Sequence, residues 1–192
     1  MTSLYWYSVL LVALGLERLL ELRISRRNQA WALAQGGVEY GAGLFRWMKL
    51  LHTAFMLGCG AEAWLLDRPF RPVLGWAMLG VALAAQALRY WTIATLGKRW
   101  NVRVIVVPGL PVVTGGPFRF LRHPNYLAVI AEGIALPLIH GAVWVAVGFS
   151  LLNAWLLTVR IRCEEAALRE HCSFDDRLGD RAGLVPRAPS AP

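Results

Sequence analysis

Charge is what this chain has least of. Only 20 Lys and Arg and 12 Asp and Glu stand among its 192 residues, 17% in all, where typical soluble domains carry about 25%. Apolar residues reach 57% and the mean hydropathy is positive. That balance excludes disorder for most of the chain and argues against a soluble domain. Cysteine is also scarce. Cys59, Cys163 and Cys172 are odd in number, widely spaced and without a CxxC, so neither a disulfide framework nor a zinc site is readable. Cys59 lies in an apolar run and reads as packing. No two histidines share helical ligand spacing, no glycine-rich phosphate cradle appears and there is no GxSxG. Gly41-x-Gly43 is not read as a dinucleotide fingerprint, because no strand is expected before it and no clear helix after it. No internal repeat is visible. The N-terminus lacks the basic region and small-residue cleavage site of a signal peptide, and reads as a retained first helix.

What is present in quantity is long apolar runs. A membrane-crossing helix needs roughly 20 mostly apolar residues. Five such segments are expected, at Leu4–Leu22, Met48–Leu66, Val73–Ile93, Tyr126–Ile139 and Val143–Val159. The last two form a tight helical hairpin turned at Ile139-His140-Gly141. The nine Trp suit the interfaces of a bilayer. Sixteen of the twenty basic residues fall on one side of this topology, two (Arg68 and Arg71) on the other, and Arg18 and Arg89 lie within segments. The positive-inside rule then places the N-terminus outside and the C-terminus in the cytoplasm. It also accounts for the net charge of +8 without nucleic acid, for which a dense basic run interleaved with aromatics is missing. The expected fold is thus an all-α integral membrane protein with about five transmembrane helices, organised as one domain over residues 1–192. Residues Gly183–Pro192 are rich in Pro and Ala and read as frayed, most clearly 188–192.

Polar chemistry concentrates at one membrane face. The stretch Gly97–Arg122 carries β-branched runs broken by Pro108-Gly109 and Gly115-Gly116-Pro117, a pattern of short extended pieces and turns. It leads into Arg122-His123-Pro124-Asn125-Tyr126, where Pro marks a helix start. First-turn N–H groups there favour an anionic ligand group, and an ordinary helix start beside a positive anchor is the alternative. In Arg160-Ile161-Arg162-Cys163-Glu164-Glu165, Arg160 and Glu164 share a helix face and Glu165 points about 100° away. A solvated helix end with a surface ion pair is the plain alternative. Glu17, Arg18, Glu62, Arg89 and Glu132 fall inside membrane segments, where an unpaired charge costs several kcal/mol. They either line a polar cavity or pair between helices, for example Arg89 with Glu132.

At these clusters the sequence resembles the isoprenylcysteine carboxyl methyltransferase family of integral membrane enzymes. The resemblance rests on Gly116-Pro117-Phe118-Arg119, Arg122-His123-Pro124-Asn125-Tyr126 and Arg160-Ile161-Arg162-Cys163-Glu164-Glu165 followed by Leu168, and covers Leu96 to about Arg187. It implies a cofactor-binding catalytic core at 96–187 behind N-terminal membrane helices at 1–95. It implies S-adenosyl-L-methionine, released as S-adenosyl-L-homocysteine, in a cytoplasmic pocket. It also implies a lipophilic acceptor entering from the bilayer, such as a prenylcysteine-like or polyketide-type lipid methylated on a carboxylate or phenolic oxygen. By the same resemblance Val113, Gly116, Arg122, His123, Pro124, Tyr126 and Glu165 bind the cofactor, and Arg160 and Glu164 act at the reacting centre. No metal is implied. Two departures stand out: Leu127-Ala128 where the family commonly has Gly, and His171-Cys-Ser-Phe174-Asp-Asp-Arg-Leu178 in place of an aromatic, glycine-containing segment. Sterol-type lipid reductases share a related C-terminal pattern and use NADPH; that reading and a non-enzymatic membrane scaffold or carrier stay open at this stage.

Overall fold

The computed structural model describes residues 2–181 and 183–184. The expected frayed tail at 188–192, and all but 183–184 of Gly183–Pro192, lie outside the described residues. The described chain is mostly helical. In order it runs α1 (Thr2–Ala34), β1 (Val38–Tyr40), α2 (Ala42–Leu65), α3 (Pro72–Leu96), a 3-10 turn (Gly97–Arg99), β2 (Val104–Val106), a second 3-10 turn (Gly116–Arg119), α4 (Pro124–Ile139), α5 (Val143–Cys172) and α6 (Phe174–Leu178).

Each of the five expected apolar segments falls on one of α1 to α5. Two helical stretches, Pro72–Arg99 and Val143–Cys172, are long and apolar enough to cross a membrane, and α4 is a shorter apolar helix. α1 and α2 have the length, but carry Glu17, Arg18, Glu21 and Arg46, Lys49, Glu62 within it. Helices α1 and α5 extend well past their apolar runs, to Ala34 and Cys172, as polar helical arms. These arms put chemistry-bearing residues at one end of the bundle.

Local residue choice explains the helix boundaries. α3 and α4 both begin with Pro at their first position, where its fixed φ suits the helix and its missing N–H costs little. α3 ends at Gly97, whose φ of +54 carries the chain away at low steric cost. α4 ends at the Pro137–Gly141 turn, and α5 starts against a buried carboxylate. Glu62 accepts the N–H groups of Trp144 and Val145 at 3.2 and 2.8 Å, and an Arg68 bond at 2.7 Å. Those first-turn donors have no partner inside their own helix, so α2 supplies their cap. Of the two lone histidines, His52 Nδ1 bonds Met48 O at 2.8 Å and His140 Nε2 lies 3.2 Å from Ser3 Oγ.

The apolar core unites Leu4, Tyr7 and Leu11 of α1 with Phe55, Cys59 and Ala63 of α2, Ala82 of α3, Ala135, Leu136 and Ile139 of α4, and Phe149 of α5. α4 and α5 pack closely because Gly133 has no side chain: a Cβ there would stand 2.4 Å from the Phe149 ring. Apolar side chains on the outward faces, including Trp6, Val12 and Leu16 of α1 and Trp144, Leu151 and Trp155 of α5, remain exposed.

One expectation is corrected. A strand does precede Gly41 and a helix does follow it. β1 pairs antiparallel with β2, Val38 opposite Val106 and Tyr40 opposite Val104, and α2 begins at Ala42. Three residues show too little alternation to mark a strand, and their partner lies far along the chain. The dinucleotide fingerprint is still incomplete, since Arg46 stands where a third glycine belongs and β1 has no parallel neighbour among the described residues. Gly41 instead serves the turn into α2, with φ of +60 and Cys163 Sγ 3.1 Å from where a Cβ would be.

Candidate active site

The helical arms, the ribbon and the long loop enclose one cavity at this end of the bundle. Its wall includes Trp31 and Ala32 from α1, Thr92 and Leu96 from α3, the stretch Val104–Val107, Val113, residues 122–126, Arg160, Glu164 and Leu168 from α5, and Phe174 and Leu178 from α6. Most of these groups are apolar. Arg99, Arg103, Arg122 and Arg160 line it against one carboxylate, Glu164.

The start of α4 is the chemical centre. Tyr126 is buried, donates its phenolic proton to Glu164 and accepts a bond from Arg160 Nε at 2.8 Å. Arg160 also lies over the Tyr126 ring, 5.6 Å from its centroid. The spacing of Arg160 and Glu164, four residues apart on α5, puts both on the face that meets Tyr126. A second chain of contacts begins one turn earlier. The His123 ring stacks on Tyr126 at 5.3 Å and on Phe174 at 6.4 Å. Its Nε2 lies 2.9 Å from Glu165 Oε1, and Glu165 Oε2 accepts from Arg169 Nη2 at 2.7 Å. Arg169 continues to Asp175 at 3.0 Å. Glu165 stands in the polar arm of α5, beyond the apolar stretch. The hydrogen bond to His123 pulls its carboxyl down to about 2, with Arg169 reinforcing it against partial desolvation.

Seven of the nine residues singled out in the sequence line the cavity: Val113, Arg122, His123, Pro124, Tyr126, Arg160 and Glu164. Gly116 and Glu165 stand outside its wall. Gly116, with φ of +54, lets the loop press on α3: a Cβ would meet Thr95 Oγ1 at 2.3 Å. Glu165 touches the cavity only through His123. Arg122 turns its guanidinium to the carbonyl oxygens of Gly179 and Arg181, the first bond running to Gly179 and the second 2.8 Å long. It thereby holds the segment after α6 against the site. Asn125 also lines the cavity, and its buried Oδ1 has no hydrogen-bond partner among the described residues.

The model of the isoprenylcysteine carboxyl methyltransferase (ICMT) family matches residues 78–170. The chain is also 36% identical over 169 residues to "Uncharacterized protein YpbQ" of Bacillus subtilis (strain 168), spanning 88% of this chain and 98% of that one. This chain belongs to the ICMT family. A second relative, "Uncharacterized protein" of Haemophilus influenzae (strain ATCC 51907 / DSM 11121 / KW20 / Rd), is 30% identical over 154 residues, 79% of this chain and 88% of its own.

In this ICMT family member the cavity reaches beyond the matched stretch on both sides. Trp31 and Ala32 come from before it, and Cys172, Phe174 and Leu178 from after it. Trp31 and Ala32 are not signalled in the sequence, whereas Cys172, Phe174 and Leu178 fall in the 171–178 segment that the family resemblance marks as a cofactor cap. Phe174 had one usable signal, an aromatic shortly after the paired glutamates. Trp31 had none, because its approach depends on how α1 packs.

Proposed function

We propose that this chain is an S-adenosylmethionine-dependent O-methyltransferase acting on a lipophilic acceptor that carries an acidic oxygen. The observation that carries the reading is the meeting of two contact networks at one cavity, Arg160–Tyr126–Glu164 and Phe174–His123–Glu165, all but Phe174 within the stretch that matches a methyltransferase family. When bound, the cofactor supplies an electrophilic methyl group on sulfur. Everything else is positioning and electrostatics, which this chain's residues provide.

His123, Pro124 and Tyr126 offer a wall to the cofactor, joined by Val113 of the long loop, with Arg122 holding the segment after α6. Gly116 sets the loop against α3. Glu165 acts from behind His123, fixing which ring nitrogen is engaged. The unpartnered Asn125 Oδ1 fits a ligand with N–H or O–H donors, and the cofactor has both. The cavity wall is basic: Arg103 is paired with Glu39 at 2.6 Å, and Arg99, Arg122 and Arg160 still outnumber Glu164, which favours an anionic oxygen. Arg160 orients that oxygen. A carboxylate acceptor needs no base, whereas an acceptor with an O–H loses its proton to Glu164. The outward apolar faces and the one-sided basic residues support an integral bacterial membrane protein with five spans, its C-terminus and site cytoplasmic.

The test is binding of S-adenosylhomocysteine to the purified protein in detergent. The parent binds it, and folded His123→Ala and Glu165→Ala variants bind it at least about tenfold more weakly. Unchanged affinity in both variants overturns the site assignment, and quenching of tryptophan by NADPH instead points to the reductase chemistry.

A further inference from the structure

α1 carries one continuous inward stripe. Leu4, Tyr7, Leu11, Glu21, Ser25, Asn28 and Ala32 are its buried residues, with Leu14 partly buried and Arg18 filling the remaining position at the same spacing. The stripe changes character half-way. Its first half is apolar and joins the core. Its second half binds its neighbours through polar groups.

The junction is a charge network across three helices. Arg18 donates to Glu21 at 2.8 Å, to Gln86 of α3 at 3.0 Å and to Glu132 of α4 at 3.0 Å. Arg89 of α3 holds the other side of Glu132 at 2.6 Å. Glu17 accepts from Gln86 and, at 2.6 Å, from Tyr90. Further along, Ser25 Oγ meets Asn101 Oδ1 at 2.9 Å, and Asn28 donates to the carbonyl of Trp100 at 2.7 Å. The stripe ends at Ala32, in the cavity wall beside Trp31.

An apolar seam tolerates small sliding and rotation of a helix. A seam of directional bonds, buried among lipid-facing helices, does not, because each slipped donor or acceptor is left without a partner. One buried polar position is enough to set register in coiled coils. Here Glu132 ties α1 through Arg18, and α3 through Arg89, to the helix whose first turn carries His123 and Tyr126. Glu132 therefore links α1 to α4, and the Ser25 and Asn28 bonds tie the far end of α1 to Asn101 and Trp100.

We propose that Arg18 is a positioning residue for the cavity: its bonds to Glu132 and Gln86 set the axial register of α1 and so the placement of Trp31 and Ala32 in the wall they share with His123 and Tyr126. The geometric part stands alone. The affinity part rests on the cofactor reading above.

The experiment labels the full chain with 5-fluorotryptophan, assigns the Trp31 resonance with Trp31→Phe and records 19F spectra in detergent. Arg18→Met keeps the apolar stem and removes the direct bond from α1 to α4, while Arg89 still pairs with Glu132 and Glu17 keeps its bonds to Gln86 and Tyr90. The Trp31 resonance shifts or broadens in Arg18→Met, the dissociation constant for S-adenosylhomocysteine rises about tenfold, and Arg18→Lys restores both in part. Leu11→Ala, in the apolar half, lowers the melting temperature and leaves Trp31 and the affinity at parental values. A folded Arg18→Met protein with lowered melting temperature but unchanged Trp31 resonance overturns the proposal, since the network then only stabilises the bundle. If Arg18→Met does not fold, Gln86→Leu carries the same test, with a Trp31 shift supporting the proposal and its absence overturning it. A parent that does not bind S-adenosylhomocysteine counts against the cofactor reading, and the 19F comparison still decides the positioning.

Discussion

Glu165 and His123 are joined side chain to side chain, Oε1 to Nε2 at 2.9 Å, across the junction of α5 and α4. The bond turns the paired glutamates into two different groups. Glu164 faces the cavity and Glu165 faces the residue that lines it.

This bond gives stability a pH signature. The Glu165 carboxyl, ordinarily near 4.5, is lowered to about 2 in the folded protein. A depressed carboxyl stabilises the fold fully above its unfolded value and loses that contribution as pH falls through its folded value. Glu165→Gln therefore melts below the parent at neutral pH, and the gap narrows as pH drops from about 4.5 towards 2. Thermal melts in detergent across that range check it. A gap of constant size down to about pH 2 contradicts the pairing.

The second glutamate separates acceptor classes. Glu164→Gln slows methyl transfer to an acceptor bearing an O–H by about a hundredfold, the usual worth of a positioned base. Transfer to an acceptor that is already a carboxylate changes little. Rates with a lipophilic phenol and a lipophilic acid, measured side by side, show which holds; equal losses with both remove Glu164 from the role of base.

Gly133 tests the packing that brings α4 to α5. Gly133→Ala puts a methyl group 2.4 Å from the Phe149 ring, so the helices must part or the ring must turn. Overpacking of this kind costs about 1–3 kcal/mol. The melting temperature falls, while Gly148→Ala inside α5, where an added Cβ meets nothing within 4 Å, does not lower it and raises it through helix propensity.

Glu62 tests the other end of the bundle. Glu62→Gln weakens the cap on α5 and the bond to Arg68. Hydrogen bonds to charged groups contribute about 1.5–3 kcal/mol each, so stability falls measurably. Affinity for S-adenosylhomocysteine stays at the parental level, because Glu62 lies at the far end of the bundle from the cavity. A loss of affinity without a loss of stability refutes the structural role.

The apolar helices and the residues around His123 and Glu164 were legible in the sequence for physical reasons. Long apolar runs, proline at a helix start and charges four residues apart all act locally. Arg89 with Glu132 was legible too, because a buried charge must find a partner. What stayed hidden depends on contacts between distant segments. β1 is three residues long and exists only because β2 pairs with it. Trp31 reaches the cavity because Arg18, Ser25 and Asn28 dock α1, and nothing near Trp31 announces that. Helix geometry already turns Glu164 and Glu165 about 100° apart, but their partners, Tyr126 and His123, come from another helix and needed the fold.

Methyl transfer from labelled S-adenosylmethionine to the lipids of membranes containing this chain tests the central claim most directly. The account predicts a labelled lipophilic product that extracts with the lipids, is detected by mass spectrometry, and disappears in membranes carrying a folded Arg160→Met variant. Equal labelling of lipids from membranes with and without the chain contradicts it.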